Sequence, residues 1–176
     1  LKDAYYDTIF RLSVAAEFRD EDTATHIHRM SNYSALIARA MGWSAERSEE
    51  MLYASPMHDI GKIGIRDAVL LKPGKLTPEE FNEMKRHTIY GAQILSNSKE
   101  PLLQMSERIA ISHHEKYDGS GYPNRMKGED IPIEGRIVAL ADVFDALTTK
   151  RCYKEPWPVE KAMELIREGS GKHFDS

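Results

Sequence analysis

Apolar residues recur along the chain at helical spacing, and no stretch alternates between apolar and polar residues as a half-buried strand would. The first predicted helix carries one apolar row that includes Tyr5 and Ile9 and a second row that includes Phe10 and Val14. A helix with two apolar sides is buried, or it packs against another body. We therefore expect this helix to contact an upstream domain or a second copy of the chain.

Start and stop signals divide the rest of the chain into further helices. Gly42 ends one helix and Ser44 begins the next, while Thr77, Pro78 and Glu80 form a capping box with proline at the first helical position. Helices are expected at 23–41, from 44 into the segment MLYASPMHD, and after 77 through the segments FNEMKRH, GAQILSN and PLLQMSERIAISHH. Two more helices are expected at 134–149 and 158–167, and a loop is expected at 117–132. The pattern predicts an all-α fold, a compact helical bundle.

Composition narrows the function classes. The 176 residues suit one domain, residues 1–176, and the 24 Lys and Arg against 28 Asp and Glu give a net charge of −4. No overall positive field exists to attract DNA or acidic lipid, so an anionic ligand would need local cations or metal ions. The single cysteine, Cys152, leaves no internal disulfide and fits a reducing cytoplasm, and no apolar run is long enough to insert in a membrane.

Histidine and aspartate are paired at two places. On the helix at 23–41, His26 falls on the apolar row, whereas His28 falls on the face expected to be exposed to solvent. Asp22 lies one turn before His26. An aspartate there more often caps the helix, so this pair alone is a weak signal for a metal ligand. His58 and Asp59 form the second pair, within an apolar run. Their ordinary interpretation is a buried hydrogen bond.

The surroundings of His58 and Asp59 favour a ligand site. Gly61 and Gly64 allow close approach of the backbone, and Lys62 brings a cation to the same neighbourhood, which suits an anionic ligand.

Asp142 lies on a helix that is apolar nearly all round, so we expect it to be buried. A buried carboxylate costs several kcal/mol unless a cation, a metal or a proton compensates it. Asp145 either shares the site of Asp142 or pairs with a Lys or Arg at the edge of that site, and we favour the position at the edge.

Three further histidines stand at predicted helix ends. His87 is expected to end the helix that follows the capping box, and His113 and His114 end another. Adjacent helical positions diverge by roughly 100°, so we expect His113 and His114 to serve two metals, or one metal and the substrate, rather than a single ion. Singly, each could complement a helix dipole. As a set with the other candidates they predict a site for Fe, Mn, Ni or Zn, because the ligands are imidazoles and carboxylates.

The motifs DTATHIHRM, HDIGK, KRHTIYG, HHEKYDGSGYP and ALADVFDALTTKRCYK occur in this order. Together they resemble the HD-GYP branch of the HD phosphohydrolase superfamily, and the resemblance covers almost the whole chain. An isolated His-Asp pair is a weak signal, whereas HDIGK followed by HHE-x-x-DG-x-GYP is highly specific. The resemblance implies a helical fold of the HD-domain type and a cytoplasmic signalling phosphodiesterase that acts on cyclic dinucleotides.

The resemblance also implies roles for individual residues. Two divalent transition-metal ions, Fe or Mn in most members and Ni or Zn as alternatives, would bind His58, Asp59, His87, His113, His114 and Asp142, with His26 as a further ligand and Asp59 as the bridge. Lys62 would contact the scissile phosphate, and Arg151 and Lys154 would hold the substrate phosphates. Tyr122 is a further candidate for substrate contact, although we expect its loop chiefly to brace the site.

One position departs from the family pattern. Members with a third metal carry Glu four residues before the His26 position, where this chain has Asp22. Aspartate is one methylene shorter, so we predict two ions and a third only if Asp22 reaches it.

The working hypothesis is hydrolysis of cyclic di-GMP to pGpG or GMP by a hydroxide that bridges the two metals, with cyclic GMP-AMP as an alternative substrate. Asp59 and Lys62 are the expected catalytic residues. Three alternatives stay open: an HD phosphohydrolase acting on other nucleotides, di-iron oxygenase chemistry, and a non-catalytic sensor of cyclic dinucleotides or partner-docking module. The expected partners are the cyclic dinucleotide, an upstream receiver or sensor domain of a longer protein, a second copy of the chain, and a protein at the Gly-Tyr-Pro loop.

Overall fold

Helices form the regular structure of the chain. The computed structural model describes residues 2–17, 19, 24–150 and 155–176, and in those ranges no β-strand forms beyond an isolated bridge between Ser170 and Phe174. The α-helices are α1 (Lys2–Glu17), α2 (Ala24–Ala40), α3 (Ala45–Ala54), α4 (Asp67–Leu70), α5 (Pro78–Met84), α6 (His87–Leu95), α7 (Pro101–Ser112), α8 (Ile133–Thr148) and α9 (Val159–Glu168). Three 3₁₀ helices span Ser55–Met57, Ile60–Gly64 and Gly128–Asp130. The prediction of an all-α bundle is confirmed.

The core lies where α2, α3, α7 and α8 meet. Helix α2 packs against α3 and α8, and α7 packs against α3, α6 and α8. Met30, Met51, Ile109 and Val138 supply one fully buried side chain from each of the four central helices. Burial of such a side chain contributes about 1.5–3 kcal/mol, so the helices with the strongest apolar rows are those that fix the bundle.

Local signals set most helix boundaries within one residue of expectation. Gly42 follows α2 with φ +87°, and Ser44 caps α3 by accepting a hydrogen bond from the backbone N–H of Arg47 at 3.2 Å. The capping box at the start of α5 forms between Thr77 and Glu80. In the first apolar row of α1, Ile9 is buried whereas Leu12 of the same row is 54% exposed, and Phe10 and Val14 of the second row are half-buried.

The expectation for His87 was wrong. Helix α5 ends at Met84, and His87 is the first residue of α6 rather than the last of α5. No Gly or Pro marks the break at Lys85 and Arg86, so the apolar pattern alone merged the two helices.

The His58–Asp59 pair lies between two 3₁₀ helices, and the second of them passes very close to the backbone of α6. A Cβ atom on Gly61 would lie 1.8 Å from the carbonyl oxygen of His87 and 2.4 Å from the amide nitrogen of Gly91. Only glycine fits this crossing, which confirms the expected close backbone approach. The crossing brings His87 next to Asp59. In the part of the chain described, no helix is long and apolar enough to cross a membrane.

We predict that Gly61→Ala lowers the free energy of unfolding by about 3 kcal/mol or more, because two backbones must separate to admit the methyl group. Gly42→Ala is the matched control. Nothing lies within 4 Å of its added Cβ, so only the positive φ is penalised and the loss is about 1 kcal/mol. Chemical denaturation of both variants measures the difference, and equal losses would contradict the close crossing.

Candidate metal centre

Asp59 is the point on which the buried histidines converge. Its Oδ1 lies 3.2 Å from Nε2 of His87 and 3.4 Å from Nε2 of His113, and its Oδ2 lies 3.2 Å from Nε2 of His58. All three rings are at most 2% exposed. Among the described residues none of these three nitrogens, nor Asp59 Oδ1, has a partner in hydrogen-bond geometry. Orphaned polar atoms in a buried cluster indicate a missing partner.

The opposite nitrogen of each ring shows what that partner is. Nδ1 of His58 lies 3.0 Å from the Ser55 carbonyl oxygen, and Nδ1 of His87 lies 2.7 Å from that of Met84. Nδ1 of His113 lies 3.1 Å from the carbonyl oxygen of Ala110. A carbonyl only accepts hydrogen bonds, so each Nδ1 carries the proton and, in the neutral ring, each Nε2 presents a lone pair.

When all three rings are neutral, three lone pairs face one carboxylate across about 3 Å. This arrangement repels unless a cation lies among the donors, and it is the arrangement by which a protein orients metal-binding imidazoles. The donors fit a transition-metal ion, because all are imidazole nitrogens and carboxylate oxygens.

Two groups of ligand atoms can be distinguished. In each, one atom from every member lies within 4.8 Å of the others. The first group contains Asp59, His87, His113 and His114, and the second contains His26, His58 and Asp142. The two oxygens of Asp59 face different groups, Oδ1 towards His87 and His113 and Oδ2 towards His58. This is the placement that a bridging carboxylate needs.

Electrostatics of the protein alone favour a cation at the same point. Burial acts to raise the pKa of Asp59, but the Lys62 ammonium and the imidazoles of His58 and His113 outweigh it and hold that pKa well below its usual value. Burial acts to lower the pKa of His58, yet the negative charges of Asp59, Asp142 and Glu17 raise it to about 9. A metal at this ring would displace a proton.

The pKa values of the adjacent histidines, His113 and His114, are lowered, in contrast to that of His58. Burial lowers the pKa of His113, and burial together with the neighbouring rings of His113 and His87 lowers that of His114 well below its usual value. Both rings are therefore neutral near pH 7 and keep a lone pair.

Known proteins match both the sequence and the fold. The model of the HD domain family matches residues 12–176. The chain belongs to the HD domain family. It is 49% identical over 173 residues to a cyclic di-GMP phosphodiesterase of Thermotoga maritima and 45% identical over 175 residues to a 3′3′-cGAMP-specific phosphodiesterase of Vibrio cholerae. These alignments cover 98% and 99% of this chain but 47% and 34% of the relatives, so the chain spans less than half of each.

A solved structure confirms the fold of this HD domain. A cyclic GMP-AMP phosphodiesterase of V. cholerae aligns with a TM-score of 0.71 at 20% identity, over 97% of this chain and 45% of its own.

The adjacent histidines of the HD domain correct one expectation. His113 and His114 fall in the same ligand group, and their ring centroids are 4.1 Å apart. Helix α7 ends at Ser112, so the helical divergence that we assumed does not separate them. Both rings lie against the ring of His87, with centroids 5.5 Å and 5.1 Å from its own.

Asp142 and Asp145 exchange their expected environments. The Asp142 side chain is 26% exposed rather than buried, and Asp145 is 1% exposed rather than at the rim. The expected arginine partner of Asp145 is present: Arg29 donates from Nε at 2.5 Å and from a terminal nitrogen at 3.0 Å. His26 Nδ1 lies 2.7 Å from the same carboxylate. These contacts draw Asp145 inward against α2, and one helical turn away Asp142 is left at the opening.

Asp145 thereby orients a metal-ligand candidate. Burial acts to raise its pKa, but hydrogen bonds from His26 and Arg29 lower the pKa of Asp145 to about 2, so it is a carboxylate that accepts the Nδ1–H of His26. His26 Nε2 then points at Asp142, 3.5 Å away. His26 is 4% exposed, as its place on the apolar row predicted.

Lys62 lies against the bridging candidate. Its ammonium is 2.9 Å from Asp59 Oδ2 and 3.8 Å from a carboxylate oxygen of Glu17, which is 2% exposed. No motif marks Glu17, which is the last residue of α1, a helix that the sequence distinguishes only by its apolar rows. Lys62 therefore lies beside the His58–Asp59 pair, and its contact with a substrate phosphate stays a prediction.

The Gly-Tyr-Pro loop is held by a residue that the motif contains but that we assigned no role. Glu115, 2% exposed, accepts hydrogen bonds from the backbone N–H groups of Asn124 at 2.7 Å and Met126 at 3.1 Å. This clamp places the Tyr122 ring against His114, with ring centroids 4.8 Å apart. Gly121 is required because a Cβ there would lie 2.3 Å from the amide nitrogen of Lys116. Bracing of the site is thus supported by direct contacts.

Three predicted site residues lie outside the described ranges. They are Asp22, Arg151 and Lys154.

Replacing Asp145 by Asn removes the charge that orients His26 without changing the side-chain size. We expect metal affinity to fall about 10–100-fold, as for other outer-shell carboxylates. Asp67→Asn is the control, since this exposed carboxylate pairs with Arg19 outside the two ligand groups. Competition with a chelator measures the affinity, and an unchanged value in Asp145→Asn would refute the orienting role.

Glu115→Gln should loosen the loop, because a neutral amide accepts the two backbone N–H groups less strongly than a carboxylate. We expect a loss of about 1–3 kcal/mol in unfolding free energy and faster amide exchange at 124–126. Glu129→Gln, at an exposed position with no clamp contact, should change neither quantity. Exchange that stays slow at 124–126 in Glu115→Gln would show that the loop is held by other contacts.

Proposed function

We propose that this HD domain is a metal-dependent phosphodiesterase that hydrolyses a cyclic dinucleotide. The observation that carries the proposal is the set of three buried imidazoles whose Nε2 atoms converge on Asp59 while each Nδ1 is fixed by a backbone carbonyl. A sensor that only binds its ligand has no need of such a set. The names of the two relatives add the substrate class, since one is a cyclic di-GMP phosphodiesterase and the other is specific for 3′3′-cGAMP.

The ligand assignment follows the two groups. His87, His113 and His114 would hold one ion, His26, His58 and Asp142 the other, and Asp59 would serve both. Iron or manganese is our first choice for their identity. Ions in such a site supply an activated water and neutralise charge on the phosphate.

The protein's own groups orient and neutralise the substrate. Lys62 is close enough to Asp59 for its ammonium to reach a phosphate oxygen placed beside that carboxylate. Asp59 and Glu17 already hold the Lys62 ammonium in place. No reorganisation of this group is therefore needed when negative charge develops on the phosphate. Asp142, a quarter exposed, marks the side from which substrate enters.

The rest of the ligand must be held further out. The resemblance assigns that task to Arg151 and Lys154, which would grip the second phosphate with charge-assisted hydrogen bonds. We assign Tyr122 to the wall of the site, because its ring is stacked on His114.

The finer points stay predictions. They are the choice between cyclic di-GMP and cyclic GMP-AMP, cleavage to pGpG or onward to GMP, a third ion at Asp22, a cytoplasmic location, an upstream receiver or sensor domain, a homodimer, and a protein partner at the Gly-Tyr-Pro loop.

Turnover of cyclic di-GMP and cyclic GMP-AMP, with metal content measured on the same anaerobic preparation, tests the proposal. Asp59→Asn should lower turnover at least about 100-fold and remove bound metal, because the amide cannot replace a bridging anion. Asp130→Asn is the control on an exposed carboxylate. Full activity of Asp59→Asn, or linear product formed equally well by chelator-treated protein, would overturn the mechanism, and binding without turnover would favour the sensor alternative.

A further inference from the structure

A cavity lies behind the Gly-Tyr-Pro loop. Its volume is about 630 Å³, within the range of small-molecule sites. It is bounded by α5, the start of α6 and the loop, and the side chains that matter here are Phe81, Lys85, Arg86, Lys116, Tyr122 and Arg125. None of the metal-ligand candidates is among its lining residues.

The charge of this cavity is one-sided. Four cations line it, Lys85, Arg86, Lys116 and Arg125, and no carboxylate does, although the chain as a whole has a net charge of −4. Within the described ranges none of the four forms an ion pair; Lys85 donates instead to the Asn82 amide at 3.2 Å. Like charges repel, so a concave surface with four cations is stabilised by a bound anion.

Aromatic and apolar groups complete the cavity. Lys85 Nζ lies 4.7 Å from the centroid of the Phe81 ring and 5.7 Å from that of Tyr122, so the ammonium is held between two ring faces. Phe81 is 44% exposed and Ile89 is 38% exposed. Cations beside exposed apolar surface suit a ligand that carries both a phosphate and a flat base.

Tyr122 separates this cavity from the metal centre. It lines the cavity and also stacks on His114, a member of the first ligand group. Arg86 precedes His87 directly in sequence. A ligand in the cavity would therefore contact the wall that supports two metal-ligand candidates.

We propose that this cavity is a second binding site for a phosphorylated nucleotide, with the phosphate held by Arg86 and Arg125 and the base against Phe81 and Ile89. Arginine forks bind phosphate oxygens in pairs. Both side chains line the cavity and are exposed, and the Arg86 guanidinium lies 5.0 Å from the centroid of the Tyr90 ring. The inference does not depend on the proposed catalytic activity, since it uses none of the metal ligands.

The test is a titration of the Zn-loaded chain with GMP, followed through the methyl resonance of Ile89 and assigned with Ile89→Val. We expect a saturable shift. In Arg86→Gln/Arg125→Asn the apparent dissociation constant should rise at least about tenfold, through loss of two charge-assisted contacts. Asn is chosen at 125 because Arg125 has φ +56°, a conformation that asparagine tolerates.

Two controls locate the effect. Lys75→Gln/Lys99→Gln removes the same charge at exposed positions outside the cavity and should leave GMP binding unchanged. Lys62→Ala alters the metal centre and should leave the Ile89 shift unchanged. An equal loss in either control would overturn the site, because the binding would then reflect overall charge or the metal centre.

The ligand class has its own test. Guanosine and inorganic phosphate should each bind at least about tenfold more weakly than GMP, because each offers one half of the contacts. Phosphate that binds as tightly as GMP would reduce the site to an anion site and overturn the nucleotide assignment. A poly-glutamate peptide that displaces GMP at lower concentration would assign the cavity to an acidic protein segment instead. No saturable shift with GMP would refute the proposal.

Discussion

A carboxylate buried among imidazole nitrogens is the constraint on which this structure depends. Asp59 is 9% exposed, and three histidines turn their Nε2 atoms towards it, each of which presents a lone pair when its ring is neutral. Such a cluster is costly in an apolar interior, so the fold places the Lys62 ammonium against it, and a metal ion would compensate it further. The turns that follow α3, the start of α6 and the end of α7 contribute the rings, and the backbone carbonyls of Ser55, Met84 and Ala110 fix each Nδ1.

The carbonyls that do this are those that helix ends leave available. Met84 and Ala110 lie in the last turns of α5 and α7, where carbonyl oxygens have no partner further along the helix. The Ser55 carbonyl already accepts the backbone N–H of His58 and takes a second contact from the ring of the same residue. A histidine just beyond such an end satisfies that carbonyl and is oriented by it. Interrupted helices thus serve the site twice, by placing the ring and by setting its tautomer.

Two buried carboxylates outside the ligand groups extend this support. Asp145 joins α8 to α2 through Arg29 and His26, and Glu115 joins the end of α7 to the Gly-Tyr-Pro loop. Each of these carboxylates accepts hydrogen bonds from more than one donor, so each forms a more rigid link than an exposed ion pair would. The loop that Glu115 helps to position carries Tyr122, which stacks on His114 and lines the cationic cavity.

The sequence by itself determined the all-α class, the helix boundaries near Gly42 and Thr77, and the identity of the histidines and aspartates that cluster. These follow from local signals, since caps, glycine conformations and motif spacing act over a few residues. It did not determine the break before His87, the shared direction of His113 and His114, or which of Asp142 and Asp145 is buried. Only the tertiary structure decided these, because a side chain's direction at a helix end, and the burial of one carboxylate over another, depend on partners such as Arg29 that lie far away in sequence.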